Sequence, residues 1–144
     1  MAIPARVSFV TLGVADLDRA TRFYQALGWP LSSGSVPGDV SFFHTAGGLL
    51  ALWGAKDLAA DLGLPQQDTA GFRATAVAMN LDSPAQVDEA LSGVAAAGGK
   101  VMVQGRKTSW GGYQGYFADP DGHIWEVVHN PGFPIGPDGR PTLP

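Results

Sequence analysis

One carboxylate stands where a strand ought to be apolar. Glu126 lies in "HIWEVV" (123–128), an alternating run that puts it on the same strand face as Ile124 and Val128. Burial disfavours the charged form of a carboxyl group, and that is the setting of a general acid or base. Glu126 is therefore the candidate catalytic residue. The inert alternative is an ion pair with Arg73 or Arg106. Two histidines, His123 and His129, alternate onto the opposite face of that strand, and His44 sits in a different one. The other notable stretch is "TSWGGYQGYF" (108–117), where Trp110, Tyr113 and Tyr116 crowd a glycine-rich turn. Glycines allow close backbone approach, and the rings offer flat faces for stacking or cation–π contact. Asp119 and Asp121 belong to "DPDG" (119–122) and read as turn residues.

Positioning these groups falls to a pattern that is written twice. "VSFVTLGV" (7–14) reads as a strand, and "ADLDRATRFYQALGW" as a helix capped by Asp16 and ended by Gly28. "DVSFFHT" (39–45) and "GLLALWG" (48–54) form a pair of strands, with one of Phe42 and Phe43 on each side. Residues 55–71 read as a linker with a helical turn or two near Leu58 to Leu62. The pattern then restarts. "FRATAVAMNL" (72–81) is a strand, and the helix from Pro84 is capped by Ser83 with Gln86 completing a capping box. Three strands follow, the last two antiparallel across "DPDG". Two βαβββ modules, 7–54 and 72–129, thus make one domain over 1–131. Residues 132–144 belong to a proline-rich arm, expected to be solvated or to lie on a partner subunit.

Composition narrows the class of function. Across 144 residues, 45% are apolar and 15% charged, as in an ordinary folded domain. The net charge of −4 argues against nucleic acid and anionic membranes as partners. No cysteine is present, which removes disulfides, thiolate metal sites and a thiol nucleophile. With no long apolar run, a cytoplasmic protein is the expectation.

The doubled module, with "VTLGVADLDRATRFYQALGW" at its front and "YFADPDGHIWEVVHNP" near its end, resembles the vicinal oxygen chelate superfamily. That group includes glyoxalase I, extradiol dioxygenases and bleomycin-binding resistance proteins. The resemblance implies an α+β fold whose curved sheets surround a shared cavity, with a divalent metal held by first- and last-strand residues of both modules. Its final-strand Glu falls on Glu126. The other ligand positions fall on Phe9, Ala51 and Ala76, which carry no donor. One carboxylate does not hold a divalent ion against water. No cofactor is therefore expected, and a metal, if held, would touch Glu126 and His44. Thr11 shares a strand face with Phe9, and Trp53 with Ala51.

The expected substrate-binding set is Phe9, Thr11, Ala51, Trp53, Ala76, Trp110, Tyr113 and Tyr116, with Glu126 as acid or base. The reading that follows is a homodimer binding a small aromatic or cationic molecule between modules. A lyase, isomerase or dioxygenase using Glu126 as base or metal ligand is the alternative.

Overall fold

A computed structural model describes residues 2–66 and 71–144. Gln67 of the expected linker therefore lies outside the described residues. Strand β1 (Phe9–Val14) leads into helix α1 (Leu17–Ala26), followed by β2 (Val40–His44), β3 (Leu49–Gly54) and α2 (Ala55–Leu62). The second module runs β4 (Ala76–Asn80), α3 (Pro84–Ser92), α4 (Val94–Ala97), β5 (Lys100–Lys107), β6 (Tyr113–Ala118) and β7 (Ile124–His129). The sheets have the orders β1-β3-β2 and β4-β7-β6-β5. They correspond strand for strand, because residues 30–32 run along β2 as a rudimentary outer strand. Leu31 bridges Phe43, and the Ser32 amide donates to the Phe42 carbonyl at 2.7 Å. Pro30 has no N–H to extend that pairing.

Local chemistry sets the helix ends. The Asp16 carboxylate accepts the Arg19 amide at 3.0 Å, and Gly28 takes φ +91° just past the last turn of α1. Ser83 accepts the Gln86 amide at 3.2 Å, while the Gln86 side chain reaches the Asp82 amide at 2.8 Å. The helix expected to run unbroken from Pro84 stops at Gly93 and resumes as α4. Glycine is a poor interior helix residue, and the break still leaves Val94 fully buried.

One core joins both modules. From α1, Tyr24 packs on Phe43 of the first sheet (5.8 Å between ring centroids) and on Trp125 of the second (6.1 Å). Phe23 packs on Phe117, and Trp29 meets Trp125 edge-on at 5.2 Å. The helix-packed faces of the two sheets are therefore turned toward each other around α1. A polar network runs through this aromatic core. The Tyr24 hydroxyl donates to Asp119 Oδ2 at 2.7 Å and accepts from Trp125 Nε1 at 3.0 Å. Asp119 Oδ1 accepts the amides of Asp121 and His123, both at 2.9 Å. Asp121 Oδ1 crosses to the first module, accepting the Ala15 amide at 2.8 Å and Arg19 Nη2 at 3.3 Å. The "DPDG" turn is thus a clasp between halves.

Burial, with the adjacent Asp119 carboxylate, raises the Tyr24 pKa far above the usual phenol range. Below pH 10 the phenol is neutral folded and unfolded, so its stabilisation is fully present. Above pH 10 the unfolded chain loses a proton that the folded one keeps, and stability falls by about 1.4 kcal/mol per pH unit. Urea midpoints between pH 9 and 11 should fall more steeply in the wild type than in Tyr24→Phe. Equal slopes would mean that the phenol ionises freely in the fold.

Residues after β7 do not extend away as an arm. Ile135 pairs with Pro141, and Arg140 Nε donates to the Ala46 carbonyl at 2.7 Å. The tail is a small hairpin latched to the β2–β3 turn of its own chain. Its prolines exclude helix and interior strand, but they leave the amide of Thr142 to bond Pro134 (2.8 Å) and that of Gly136 to bond Arg140 (2.9 Å). No helix of the described residues is long and apolar enough to cross a membrane.

Candidate functional site

Register arithmetic fixes which side chains share a face. In the first sheet Leu12, Val14, Leu50, Leu52 and Phe43 point into the core. The opposite face is left to Phe9, Thr11, Ala51, Trp53 and Phe42. Thr11, Ala51 and Phe42 form its middle row, because Ala51 pairs with both of the others. Phe42 resolves the ambiguity left by the Phe-Phe pair: Phe43 is fully buried, whereas Phe42 meets Phe9 edge-on at 5.8 Å. Its role on this face was missed, since two identical residues carry no signal about which is turned inward.

The second sheet repeats this arrangement. Trp125, Val127 and Phe117 face the core, and Ala76, Ala78, Glu126 and Tyr116 occupy the outer face. Its middle row is Ala78, Glu126 and Tyr116. By strand correspondence Glu126 occupies the position that Ala51 holds in the first sheet. Alanine on one flank leaves the carboxylate uncrowded, and the phenol ring of Tyr116 stands on the other. Glu126 is half-buried. Among the described residues neither of its oxygens accepts a hydrogen bond or ion pair. Arg73 instead donates to the Asp121 carbonyl at 3.2 Å and lies 3.1 Å from His123 Nδ1. Arg106 pairs along the backbone with Gln114, and neither arginine neutralises Glu126.

Two members of the expected set stand apart from these faces. Tyr113 lies on the helix side of β6, and its hydroxyl donates to Asp88 at 2.8 Å. That hydrogen bond, with some desolvation, raises its pKa. Tyr113 and Tyr116 are three residues apart, an odd spacing that a straight strand must divide between faces. Trp110, half-exposed, folds its ring back onto the α-carbon of Gly112 and lies in the β5–β6 loop. Gly112 supplies the space that a side chain would fill.

The sheets also enclose a cavity of about 480 Å³ between their core-facing sides. Of the expected residues only Phe9 and His44 border it. Glu126, Ala51, Trp53 and Tyr116 lie on the faces turned away. Within one chain the aromatic face of the first sheet and the Glu126 face of the second therefore do not look at each other.

Within one chain, the described residues gather no ligand set for a divalent ion. Phe9, Ala51 and Ala76 offer no ligand atom, His44 belongs to the other sheet, and no group of three or more His, Asp or Glu comes together among the described residues. His123 Nε2 lies 2.8 Å from the Gly13 carbonyl, and His129 Nδ1 lies 3.0 Å from that of Leu81.

Comparison with known proteins follows the same lines. The sequence model of the Glyoxalase/Bleomycin resistance protein/Dioxygenase superfamily matches residues 6–127. A glyoxalase-related enzyme from Fulvimarina pelagi superposes with a TM-score of 0.87 at 35% identity, covering 97% of this chain and 99% of that one. A lactoylglutathione lyase from Agrobacterium tumefaciens does so at 0.67 and 26% identity, over 89% and 96%. TioX from Micromonospora sp. ML1 shares the fold, with a TM-score of 0.59 and 22% identity over 87% and 98%. No functionally curated sequence matches.

Proposed function

Because the chain belongs to the Glyoxalase/Bleomycin resistance protein/Dioxygenase superfamily, we propose that it binds a small aromatic cation without a metal. The ligand lies between the Glu126 face of one copy and the Phe9–Phe42–Trp53 face of a second. The observation that carries this reading is the unneutralised Glu126 carboxylate, framed by Ala78 and Tyr116 on an outer sheet face. Such a carboxylate is costly to cover with apolar surface unless a cation comes with it. The aromatic face supplies the complementary half, suited to a planar cation by stacking and cation–π attraction. Two further features support a dimer. Strands β1 and β4 end their sheets with edges that pair with no other strand among the described residues, and Phe9 is 50% exposed. The metal site of the superfamily is, on this reading, degenerate, with Glu126 its remaining ligand position.

Titration of acridine orange, a planar aromatic monocation, tests the proposal. Saturable binding is expected at one dye per Glu126, weakened about tenfold or more in Glu126→Gln with the fold intact. Equal affinity in the two proteins removes Glu126 from the site. A near-stoichiometric divalent ion in protein purified without chelator overturns the metal-free reading. A second reading has its own support: the 35% identity to a glyoxalase-related enzyme. An uncommitted carboxylate beside a phenol also suits proton transfer in a lyase or isomerase. Turnover lost in Glu126→Gln would favour that reading.

A further inference from the structure

The cavity between the modules shares only the edge-strand residues Phe9 and Ala78 with the proposed site, and Glu126 itself does not line it. Its walls are core-facing side chains left uncovered by α1: Val10 and Leu50 from the first sheet, Val77 and Met79 from the second, with Trp29 and Trp125 completing them. At about 480 Å³ it is of the size that holds a small ligand. The tail hairpin borders it, with Gly139, Arg140 and Pro141 held in place by the bond from Arg140 Nε to Ala46.

Charge decides what the cavity takes. The chain carries 13 acidic residues, yet among the described residues no Asp or Glu lines this space. Among the described residues, the titratable groups on its walls are the His44 imidazole and the Arg140 guanidinium. Asp138 stands 4.0 Å from Arg140 Nε but is not part of the lining. The two Nη atoms of Arg140 have no partner among the described residues. We infer that this cavity is a second binding site, for an amphiphile with an apolar body and one carboxylate. The body lies on Trp29, Trp125 and Met79, and the carboxylate meets the Arg140 fork at the rim. Latching Arg140 to Ala46 fixes the guanidinium before the ligand arrives, which lowers the entropy lost on binding.

Calorimetric titration with octanoate, octanamide and octylammonium tests this on the full chain. Octanoate should bind saturably at one per chain, roughly fivefold tighter than octanamide, with octylammonium weakest. Arg140→Gln, an exposed change that leaves the core intact, should bring octanoate to the level of octanamide. Val77→Trp should abolish all three by filling the cavity, with circular dichroism checking that the variant folds. Absence of saturable octanoate binding overturns the site. Equal binding of octanamide, or no effect of Arg140→Gln, overturns the assignment of an anionic ligand.

Discussion

Asp119→Ala should lower stability by about 3–5 kcal/mol, a fall in Tm of about 10–15 °C for a domain of this size. The carboxylate is 4% exposed and accepts three hydrogen bonds, from the Tyr24 hydroxyl and from the amides of Asp121 and His123. Alanine leaves all three donors without that acceptor. The loss spreads, because Tyr24 also takes the indole N–H of Trp125 and a buried network weakens as a unit. Asp119→Asn is the milder comparison and keeps the result readable if the alanine variant does not fold. Its carbonyl can keep both amides, but its NH₂ cannot accept from Tyr24, so about 1–2 kcal/mol is expected. Urea denaturation gives both numbers. A loss below about 1 kcal/mol for Asp119→Ala would mean that the turn holds its shape without the carboxylate.

Gly115→Ala should destabilise by about 1–3 kcal/mol, opposite in sign to the usual gain from removing a strand glycine. A methyl group built there would stand 2.7 Å from the Val103 carbonyl oxygen and 2.5 Å from Leu91 Cδ1. The leucine can move, but the carbonyl belongs to the neighbouring strand and cannot. The register shifts of β5 around Val103 bring that oxygen close. Gly47→Ala is the control, since nothing lies within 4 Å of its added methyl. Matching urea midpoints for the two variants would show that β5 yields freely.

Much of the fold was legible because its signals are local. Asp16, Ser83 and Gln86 cap helices through hydrogen bonds a few residues long, and alternation marks strands whatever they pack against. The doubled module and its family resemblance were legible for the same reason. What alternation does not give is direction. It divides Glu126 from Trp125, but it says nothing of which face meets the other sheet. That depends on Tyr24 reaching Phe43 and Trp125 at once, a contact among residues far apart in sequence. The expected site residues therefore fall on two outer faces and not around one hollow, and Phe42 could not be separated from Phe43. Tyr113 lies on the other side of β6 from Tyr116, a division that parity alone gives. The tail's latch left no trace, because one arginine side chain bonding a turn carbonyl has no periodicity.

The clasp has a consequence for how the protein is made. The Ala15 amide and the Asp121 carboxylate are 106 residues apart. At ribosomal speeds of about 5–20 residues per second, the start of α1 waits roughly 5–20 s for its partner to be synthesised. Throughout that interval Phe23, Tyr24 and Phe43 have no second sheet to cover them. The nascent first half is thus an aromatic surface in search of a partner, and a slow stretch of translation before Asp119 would lengthen its exposure to aggregation and to chaperones.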